Sequence, residues 1–323
     1  MVSDTSAHLL ALDWGTSSLR AFLMQDGRII DTRQSDHGIL HLPAPGVPGF
    51  EQALKAIAGD WVQRWPRLAL VASGMVGSAQ GWREAPYVCC PADIELLAQH
   101  HARVPSGLGP DLVIAPGVLF DQPGQIPDVM RGEEIQIAGA LAENPQLAAR
   151  CCMVLPGTHS KWVLVQEGRL LRFSTYMTGE LFAVLCQHSI LGRLLPEDRN
   201  PRREPDREAF EFGLTEARRG RAGDLTHQMF ATRTLGLTGR LPPAALADYL
   251  SGLLIGSELV SGLAGVQEQQ SMPLVLIGEP SLCQRYAAAL RILGKPVAAV
   301  LGNTAASGLW NFAVATGVLP RVV

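Results

Sequence analysis

The chain has 323 residues, of which 47% are hydrophobic and 18% are charged, and its formal net charge is −3. A globular chain of this length is expected to fold as two domains. The small negative charge excludes a general attraction to nucleic acid or to an anionic membrane, so neither is expected as a partner.

The N-terminal half of the sequence predicts a three-stranded start followed by alternating helices and strands. An Asp-Gly pair between two apolar runs, Asp26-Gly27, is a strong hairpin signal. The predicted elements are strands at 9–13, 19–24, 28–35, 68–75 and 111–118 and helices around 49–64 and 132–143.

The C-terminal half repeats the three-stranded start and then becomes largely helical between residues 178 and 270. Pro273–Gly278 predicts a buried strand, with Ser281 as the N-cap of the helix after it. A last strand at 297–302 and a helix at 304–317 follow. Strands that alternate with helices indicate an α/β protein, with domains expected at 1–150 and 151–323.

Targeting and redox signals favour a cytoplasmic protein. The N-terminus has no basic region before its short apolar run, and the apolar helix candidate 245–266 contains Asp248 and Glu258. Neither segment therefore predicts a signal peptide or a membrane anchor. The six cysteines show no CxxC spacing, which favours reduced and mostly buried thiols. The arginine-dense stretch 192–221 interleaves acids and indicates a solvated loop and helix face.

One pattern occurs twice: Leu12–Ile30 is echoed by Leu155–Leu171. Each copy has Gly-Thr-x-Ser, a basic residue, an apolar strand and an acidic residue followed by Gly. Ordinary turn chemistry accounts for either loop alone, because Gly, Ser, Thr and Asp are common in turns. The matched pair instead indicates an internal repeat with a shared purpose.

The repeated turns are candidate phosphate-binding loops. The sequence contains neither a G-x-x-x-x-G-K-[ST] loop nor a G-x-G-x-x-G after a strand, so any nucleotide needs another phosphate device. A Gly-Thr-x-Ser turn lets the backbone approach an anion and adds hydroxyl donors. Asp13 precedes only the first turn, and one carboxylate beside phosphates suits Mg²⁺.

Asp13–Arg20 resembles the first phosphate motif of the sugar kinase, Hsp70 and actin superfamily. "LPGTHSKWV" resembles its second phosphate motif, and "PLVLIGEPSL" its adenosine strand and helix. More narrowly, an ordered set of stretches resembles the 2-dehydro-3-deoxygalactonokinase family over nearly the whole chain. They are "LDWGTSSLRAFL", "SGMVGSAQGWREAPYVCCPA", "VMRGEE", "PGTHSKWV", "MTGEL" and "LSGLLIGSE".

This resemblance implies two ribonuclease H-like domains with an interdomain cleft, and ATP and Mg²⁺ as cofactors. Asp13 is then the metal ligand. Arg20 and Lys161 either assist the phosphates or face solvent, and His159 either contacts phosphate or caps its turn. The nucleotide-binding residues implied are Asp13, Gly15, Thr16, Ser17, Arg20, Gly157, Thr158, His159, Ser160, Lys161, Gly278 and Ser281.

The resemblance also implies a catalytic carboxylate at the start of a helix before the second turn, where this chain has Glu133 and Glu134. Sugar kinases usually carry Asp after the equivalent Gly132, so the choice between the two stays open, with Glu133 favoured. The helix dipole alone also favours acids in a first helical turn.

The implied substrate carries a carboxylate, for which Arg131 is the candidate bidentate partner. A salt bridge at the surface or between domains is the alternative for Arg131. The segment 73–78 either presents backbone to the sugar or is a tight glycine turn. Trp82 either walls the pocket or belongs to the core. The substrate residues expected are Gly74, Met75, Gly77, Trp82 and Arg131.

The function implied is ATP-dependent phosphorylation of the 6-hydroxyl of 2-dehydro-3-deoxy-D-galactonate, in galactonate breakdown. A kinase for another sugar acid or a hexose is the alternative within enzymes. A nucleotide-dependent binding or regulatory protein of the same fold is the alternative outside them. The partner expected is the small sugar acid, and a homodimer is left open.

Overall fold

The computed structural model of the chain describes residues 8–196, 206–266 and 272–320. Parts of the arginine-dense stretch and the end of the predicted helical region, 197–205 and 267–270, lie outside these residues. The strands are β1 (His8–Trp14), β2 (Leu19–Gln25), β3 (Arg28–Ser35), β4 (Ala69–Gly74), β5 (Tyr87–Cys89), β6 (Ala102–Pro105), β7 (Asp111–Ile114), β8 (Gly117–Phe120), β9 (Asp128–Met130), β10 (Arg150–Leu155), β11 (Ser160–Gln166), β12 (Arg169–Tyr176), β13 (Leu274–Ile277) and β14 (Ala299–Leu301). The α-helices are α1 (Val47–Arg64), α2 (Ile94–Gln99), α3 (Glu133–Glu143), α4 (Thr178–His188), α5 (Arg207–Arg219), α6 (Leu225–Leu237), α7 (Leu246–Ala264), α8 (Pro280–Ile292) and α9 (Ala305–Ala315).

Two sheets follow the same plan. The first has the strand order β3-β2-β1-β4-β7-β6, and the second has the order β12-β11-β10-β13-β14. In each, the first three strands along the chain lie side by side, and a parallel strand follows on the other side of the first. The predicted repeat is therefore a repeat of strand order as well as of sequence.

The two hairpin tips share the same backbone conformation. Asp26 and Gly27 have φ values of 50° and 76°, and Glu167 and Gly168 have φ values of 51° and 73°. Positive φ at both central residues is the mark of a type I′ turn, which matches the twist of the strands that it joins. The acidic-Gly pairs that the sequence repeats are thus local determinants of both hairpins.

The described residues fall into two compact units. The first contains the described residues of Met1–Cys151, Val163–Phe173 and Asn303–Val323, and the second those of Cys152–Trp162 and Ser174–Gly302.

In the first unit, alternate side chains of β1 point to opposite faces of the sheet. Leu10, Leu12 and Trp14 belong to a buried cluster with apolar residues of α1, among them Phe50. The intervening residues, which include Asp13, point to the other face because side chains alternate along a strand. Helix α9 contacts β1 and β4 and packs against α3. Asp13 therefore stands on the face that α3 and α9 occupy.

Two predicted details were wrong. The run 111–118 is not one strand, because the chain leaves the first sheet after Ile114 and enters the three-stranded sheet β5-β8-β9 at Gly117. Pro116, which lacks an N–H, interrupts the ladder there. The N-cap of α8 is Glu279, not Ser281: its carboxylate accepts from the backbone N–H groups of Ser281 and Leu282 at 3.0 and 2.8 Å.

Helix α7 forms much of the interior of the second unit. Among the described residues, one helix, Pro243–Ala264, is long and apolar enough to cross a membrane by length and composition, and 72% of its most apolar window is buried inside the protein. Its acids Asp248 and Glu258 are only 4% and 3% exposed. Burial on most sides is typical of a core helix.

Candidate active site

Glycines bring three segments of the first unit together at one edge of its sheet. Asp13 and Ser73 are paired on the parallel strands β1 and β4. Gly74 has a φ of 92°, and a Cβ there would lie 2.7 Å from the carbonyl oxygen of Trp14. Gly132 has a φ of 111°, and a Cβ there would lie 3.2 Å from the Cα of Gly74. These close approaches set the start of α3 beside the end of β1.

Asp13 is a partly enclosed carboxylate with both positive and negative neighbours. Its side chain is 20% exposed, Nη1 of Arg20 lies 3.7 Å from its Oδ2, and Nδ2 of Asn303 donates to the same oxygen at 3.4 Å. Burial raises the pKa of Asp13; Arg20 and Asn303 oppose that rise, and the charge of Glu133 adds to it. Two carboxylates therefore share this edge, where a bound cation would be stabilised.

The two acids at the start of α3 differ in exposure. Glu134 is fully buried and its two carboxylate oxygens accept from the backbone N–H of Gly132 at 2.9 and 2.7 Å. Burial, with the nearby charge of Glu133, raises the pKa of Glu134 to about 8. Glu133 is partly exposed, and its Oε2 accepts from the backbone N–H of Arg131 at 3.2 Å. Glu133 is thus the more accessible of the two.

The first turn presents its hydroxyls outward and is held from behind. Thr16 and Ser17 are exposed, and the N–H of Gly15 donates to the carbonyl of Ser18 at 2.9 Å. The segment after β3 supports the turn, because the N–H groups of Ile39 and Leu40 donate to the carbonyls of Gly15 and Thr16 at 3.1 Å each. This turn can offer hydroxyl and backbone donors to an anion.

The second turn, in the second unit, is held by the start of α4. Thr158 and His159 are exposed, and His159 pairs with Glu180 through Nε2 and Oε2. The backbone N–H of Glu180 donates to the carbonyl of Thr158 at 3.0 Å. A Cβ on Gly179 would lie 2.4 Å from the carbonyl oxygen of Gly157, so that position leaves no room for a side chain.

Three other predicted nucleotide residues of the second unit have distinct surroundings. Ser160 is fully buried, and its Oγ lies 3.1 Å from the hydroxyl of Tyr286, so it stabilises the turn from inside. Lys161 is 4% exposed and its Nζ donates to the carbonyl of His159 at 3.1 Å. Gly278 has a φ of 144° and ends β13 beside β10.

The predicted sugar-binding residues lie in the first unit but not all at its surface. Trp82 is 7% exposed and belongs to the core, where it stacks on Phe50 with ring centroids 5.6 Å apart. Met75 and Gly77 form a short 3₁₀ turn directly after Gly74. Their place next to Gly74 puts this turn at the same edge as Asp13.

Arg131 is held on one side of its guanidinium group. Its Nη2 donates to the carbonyl of Ala85 at 2.9 Å, and the group lies 4.3 Å above the ring of Tyr87. In the part of the chain that the structure describes, its buried Nε and Nη1 atoms have no hydrogen-bond partner. Buried polar groups are normally hydrogen-bonded, so two unpaired guanidinium nitrogens at this position are unusual.

Sequence reasoning missed three features of these sites: Asn303, the supporting segment 37–40, and the role of α4. The stretch "MTGEL" was one of those that resemble the family, but no function was assigned to it. Its residues Gly179 and Glu180 contact the second turn. Asn303 follows the last strand in "LGNT", a polar break between strand and helix, but its partner Asp13 is remote in sequence. Only the fold reveals such a pairing.

A large depression in the first unit lies away from these residues. Its lining includes Arg67, Arg103 and Asp111. Since β4 and β7 begin at Ala69 and Asp111, this depression is at the sheet edge opposite to Asp13. Size alone does not identify the active site here, because the chemical groups gather at the other edge.

The duplicated sheet order and the paired turns define a protein of the sugar kinase and actin-like ATPase fold, which confirms the predicted α/β fold class. A crystal structure of the activator of 2-hydroxyisocaproyl-CoA dehydratase from Clostridium difficile, with ADPNP bound, superposes with a TM-score of 0.52 over 98% of each chain. At 12% sequence identity this likeness shows the fold alone.

The family model described as 2-keto-3-deoxy-galactonokinase matches residues 13–312, and the chain belongs to that family of carbohydrate kinases. It is 35% identical to the 2-dehydro-3-deoxygalactonokinase of Escherichia coli (strain K12) over 93% of this chain and 95% of that protein. It is 34% identical to a protein of Rhizobium meliloti (strain 1021) named as a probable enzyme of the same kind, over 92% and 93% of the two chains. A crystal structure from Sinorhizobium meliloti, provisionally assigned to the same activity, gives a TM-score of 0.83 at 31% identity over 97% and 99% of the two chains.

Proposed function

We propose that the protein is a kinase that transfers the γ-phosphoryl group of ATP to the 6-hydroxyl of 2-dehydro-3-deoxy-D-galactonate. The single observation that carries this proposal is the sheet edge formed by Asp13, Gly132 and Glu133. There the partly enclosed carboxylate of Asp13 and the more accessible carboxylate of Glu133 lie beside the first turn, which exposes two hydroxyl groups. Family membership over residues 13–312 supports the choice of sugar acid. The reaction belongs to galactonate breakdown in the cytoplasm, and the buried free thiols support that location.

Each of the two turns is proposed to bind nucleotide phosphates. The exposed Thr16, Ser17 and Thr158 supply hydroxyl donors, and Gly15 and Gly157 let the backbone approach the oxygens. His159 is exposed in the second turn, where its pairing with Glu180 orients its ring. Gly278, at the end of β13, and Ser281, in the first turn of α8, would lie against the adenosine.

Asp13 fits a role as the protein ligand of Mg²⁺. Burial and, to a smaller extent, Glu133 raise the pKa of Asp13 while Arg20 opposes the rise, so a bound cation would further stabilise the ionised carboxylate. Mg²⁺ keeps most of its waters and takes few protein ligands, so one carboxylate and phosphate oxygens are enough to hold it. Mg²⁺ would neutralise charge on the β- and γ-phosphates during transfer.

Glu133 is proposed as the base that accepts the proton of the sugar hydroxyl. It is partly exposed, it faces the edge that holds Asp13, and the backbone N–H of Arg131 fixes one of its oxygens at 3.2 Å. A carboxylate can serve as this base, because the proton is lost late in a loose phosphoryl-transfer transition state. Glu134 is proposed instead to stabilise the start of α3 through Gly132.

Arg131 is proposed to bind the carboxylate of the sugar acid. Its guanidinium is already oriented by Ala85 and Tyr87, and two buried N–H-bearing nitrogens remain for a ligand. A planar guanidinium presents two parallel donors to a carboxylate, so a bidentate contact would select sugar acids over neutral sugars.

The test is ADP release in a coupled assay across a panel of sugar acids and hexoses, with the phosphorylated carbon located by NMR. The proposal predicts ADP release that depends on 2-dehydro-3-deoxy-D-galactonate and a product phosphorylated at carbon 6. Faster turnover with another sugar acid or a hexose would reassign the substrate. ADP release that no sugar stimulates would favour a nucleotide-dependent binding protein and overturn the kinase assignment.

A further inference from the structure

Glu258 is a buried carboxylate at the centre of a hydrogen-bond network in the second unit. It lies on α7, is 3% exposed, and accepts from three side chains on three other elements. Trp162 Nε1 donates to its Oε1 at 2.9 Å, Tyr286 donates to its Oε2 at 2.7 Å, and Thr178 donates to its Oε2 at 2.5 Å. All three donors are neutral, and their hydrogen bonds from β11, α8 and α4 oppose the rise in the pKa of Glu258 that burial causes.

One arm of this network runs to the backbone of the second turn. The hydroxyl of Tyr286 has a single proton, which it donates to Glu258. The same hydroxyl can accept from Ser160, whose Oγ lies 3.1 Å away. Ser160 then has lone pairs free to accept from the N–H of Gly157, 3.4 Å away. A chain of hydrogen bonds thus connects Glu258, through Tyr286 and Ser160, to the backbone of Gly157.

The other arm reaches the same turn from the side. Thr178, which donates to Glu258, is the first residue of α4. The next residue, Gly179, packs against the carbonyl of Gly157, and Glu180 donates its N–H to the carbonyl of Thr158 at 3.0 Å. Glu258 consequently fixes both the inside of the turn and the helix start that packs on it.

We propose that Glu258 is a positioning residue that holds the Gly157–Ser160 turn in the conformation that binds nucleotide phosphates. This inference rests on the proposed function of that turn. Glu258 is buried among its partners and acts through Ser160 and Thr178. Loss of the carboxylate would let the turn relax, because Ser160 and Tyr286 would lose the acceptor that orders their hydroxyl protons.

The decisive variant is Glu258→Gln, which keeps the shape but replaces one acceptor oxygen with an NH₂ donor. Tyr286→Phe and Thr178→Val each break one arm and leave the carboxylate in place. The matched control is Asp248→Asn. Asp248 is another buried acid of α7, 4% exposed, but it pairs with Arg285 at 2.9 Å and accepts from the backbone N–H of Asp206.

The readouts are the KM for ATP, the KM for the sugar acid, kcat and the thermal midpoint of unfolding. We expect Glu258→Gln to raise the KM for ATP by about tenfold or more, with the KM for the sugar acid within about twofold of wild type. Tyr286→Phe and Thr178→Val should each raise the KM for ATP by a smaller factor. Asp248→Asn should lower the thermal midpoint without changing the KM for ATP.

A folded Glu258→Gln protein with a wild-type KM for ATP would overturn the proposal. So would an equal loss of ATP affinity in Asp248→Asn, because the effect would then follow stability and not the turn. Should Glu258→Gln not fold, the two single-arm variants decide the question by the same criterion. If the wild-type protein releases no ADP with any sugar, the proposed kinase function fails, and the role of Glu258 is then decided by calorimetric ATP binding to the same variants.

Discussion

Asn303 donates a hydrogen bond from Nδ2 to Oδ2 of Asp13 at 3.4 Å, which joins the start of the last helix to the end of the first strand. The other side-chain atom of Asn303, Oδ1, accepts from the N–H of Ala305 at 2.8 Å. Asn303 therefore fixes the first turn of α9 and orients the proposed metal ligand with a single amide.

Replacement of Asn303 by Asp should lower activity with little loss of stability. The carboxylate keeps the acceptor for Ala305, but it removes the donor to Asp13 and adds a like charge. The pKa of Asp13, already raised by burial, would rise further. We expect kcat to fall about tenfold at neutral pH and the acidic limb of its pH profile to move to higher pH. Ser307→Ala is the control, because it removes a hydrogen bond from α9 to Glu143 of α3 and leaves the contacts of Asp13 with Arg20 and Asn303 in place; this variant should retain the wild-type kcat and pH profile.

Replacement of Glu133 by Gln should abolish most turnover and leave ATP binding intact. Gln keeps the shape of the side chain but cannot take the hydroxyl proton. The loss in kcat should be about 100-fold or more, measured beside calorimetric ATP affinity. Glu134→Gln is the comparison at the adjacent position and should lose less. Near-normal turnover in Glu133→Gln would reassign the base.

The stability of the first unit should depend on pH through Glu134. Its folded pKa is raised from 4.5 to about 8, by burial first and by Glu133 second. A raised pKa means that the folded state favours the neutral acid. The contribution of Glu134 to the free energy of unfolding is thus fully present below pH 4.5 and is lost as the pH rises toward about 8. The Glu134→Gln variant mimics the neutral acid. Its thermal midpoint of unfolding should therefore decrease less over this pH range than that of the wild type. Parallel curves for the two proteins would contradict this assignment.

Helices α3 and α9 approach too closely for any side chain at Gly139. A Cβ there would lie 2.0 Å from the carbonyl oxygen of Thr304. Gly139→Ala should therefore destabilise the protein by about 1–3 kcal/mol and, by displacing Asn303, also lower kcat. Gly59→Ala is the matched control in α1, where the nearest atom is the flexible Lys55 Cγ at 3.3 Å. That change should be neutral or stabilise by up to about 1 kcal/mol, as denaturant titration would measure.

Arg131→Met should weaken binding of the sugar acid selectively. The variant keeps an apolar stem over Tyr87 but removes the charged donors. Loss of a bidentate charged contact should raise the KM for the sugar acid roughly 30-fold or more, with the KM for ATP unchanged. Arg83→Met removes the same charge from an exposed position nearby and should have no such effect. Equal effects from both arginines would show that only net charge matters.

Local signals in the sequence predicted much of the architecture. The acidic-Gly pairs at Asp26 and Glu167 set two type I′ hairpins, and apolar runs between glycines predicted the strands beside them. The sheet β5-β8-β9 was missed because its strands have only three or four residues and pair only through the fold. Short strands carry little periodicity of their own.

Candidate site residues could be proposed from the sequence where a polar group lies next to a turn or where the family resemblance points to one. Asp13 and the two Gly-Thr-x-Ser turns were proposed from the repeated pattern, and the pair Glu133-Glu134 was proposed from the resemblance. Asn303 and Glu258 were not, because their partners are distant in sequence. In the sequence, Glu258 was interpreted only as a charge that interrupts an apolar helix. In the structure it is buried and accepts hydrogen bonds from three side chains.

A crystal structure of the protein with a non-hydrolysable ATP analogue, Mg²⁺ and 2-dehydro-3-deoxy-D-galactonate would test the central claim most directly. The measurement is the distance from the Glu133 carboxylate to the 6-hydroxyl of the sugar acid. We predict about 2.6–3.2 Å, with the phosphates against Gly15–Ser17 and Gly157–Ser160 and the metal on Asp13. Nucleotide bound away from both turns, or a hydroxyl beyond the reach of Glu133, would contradict the account.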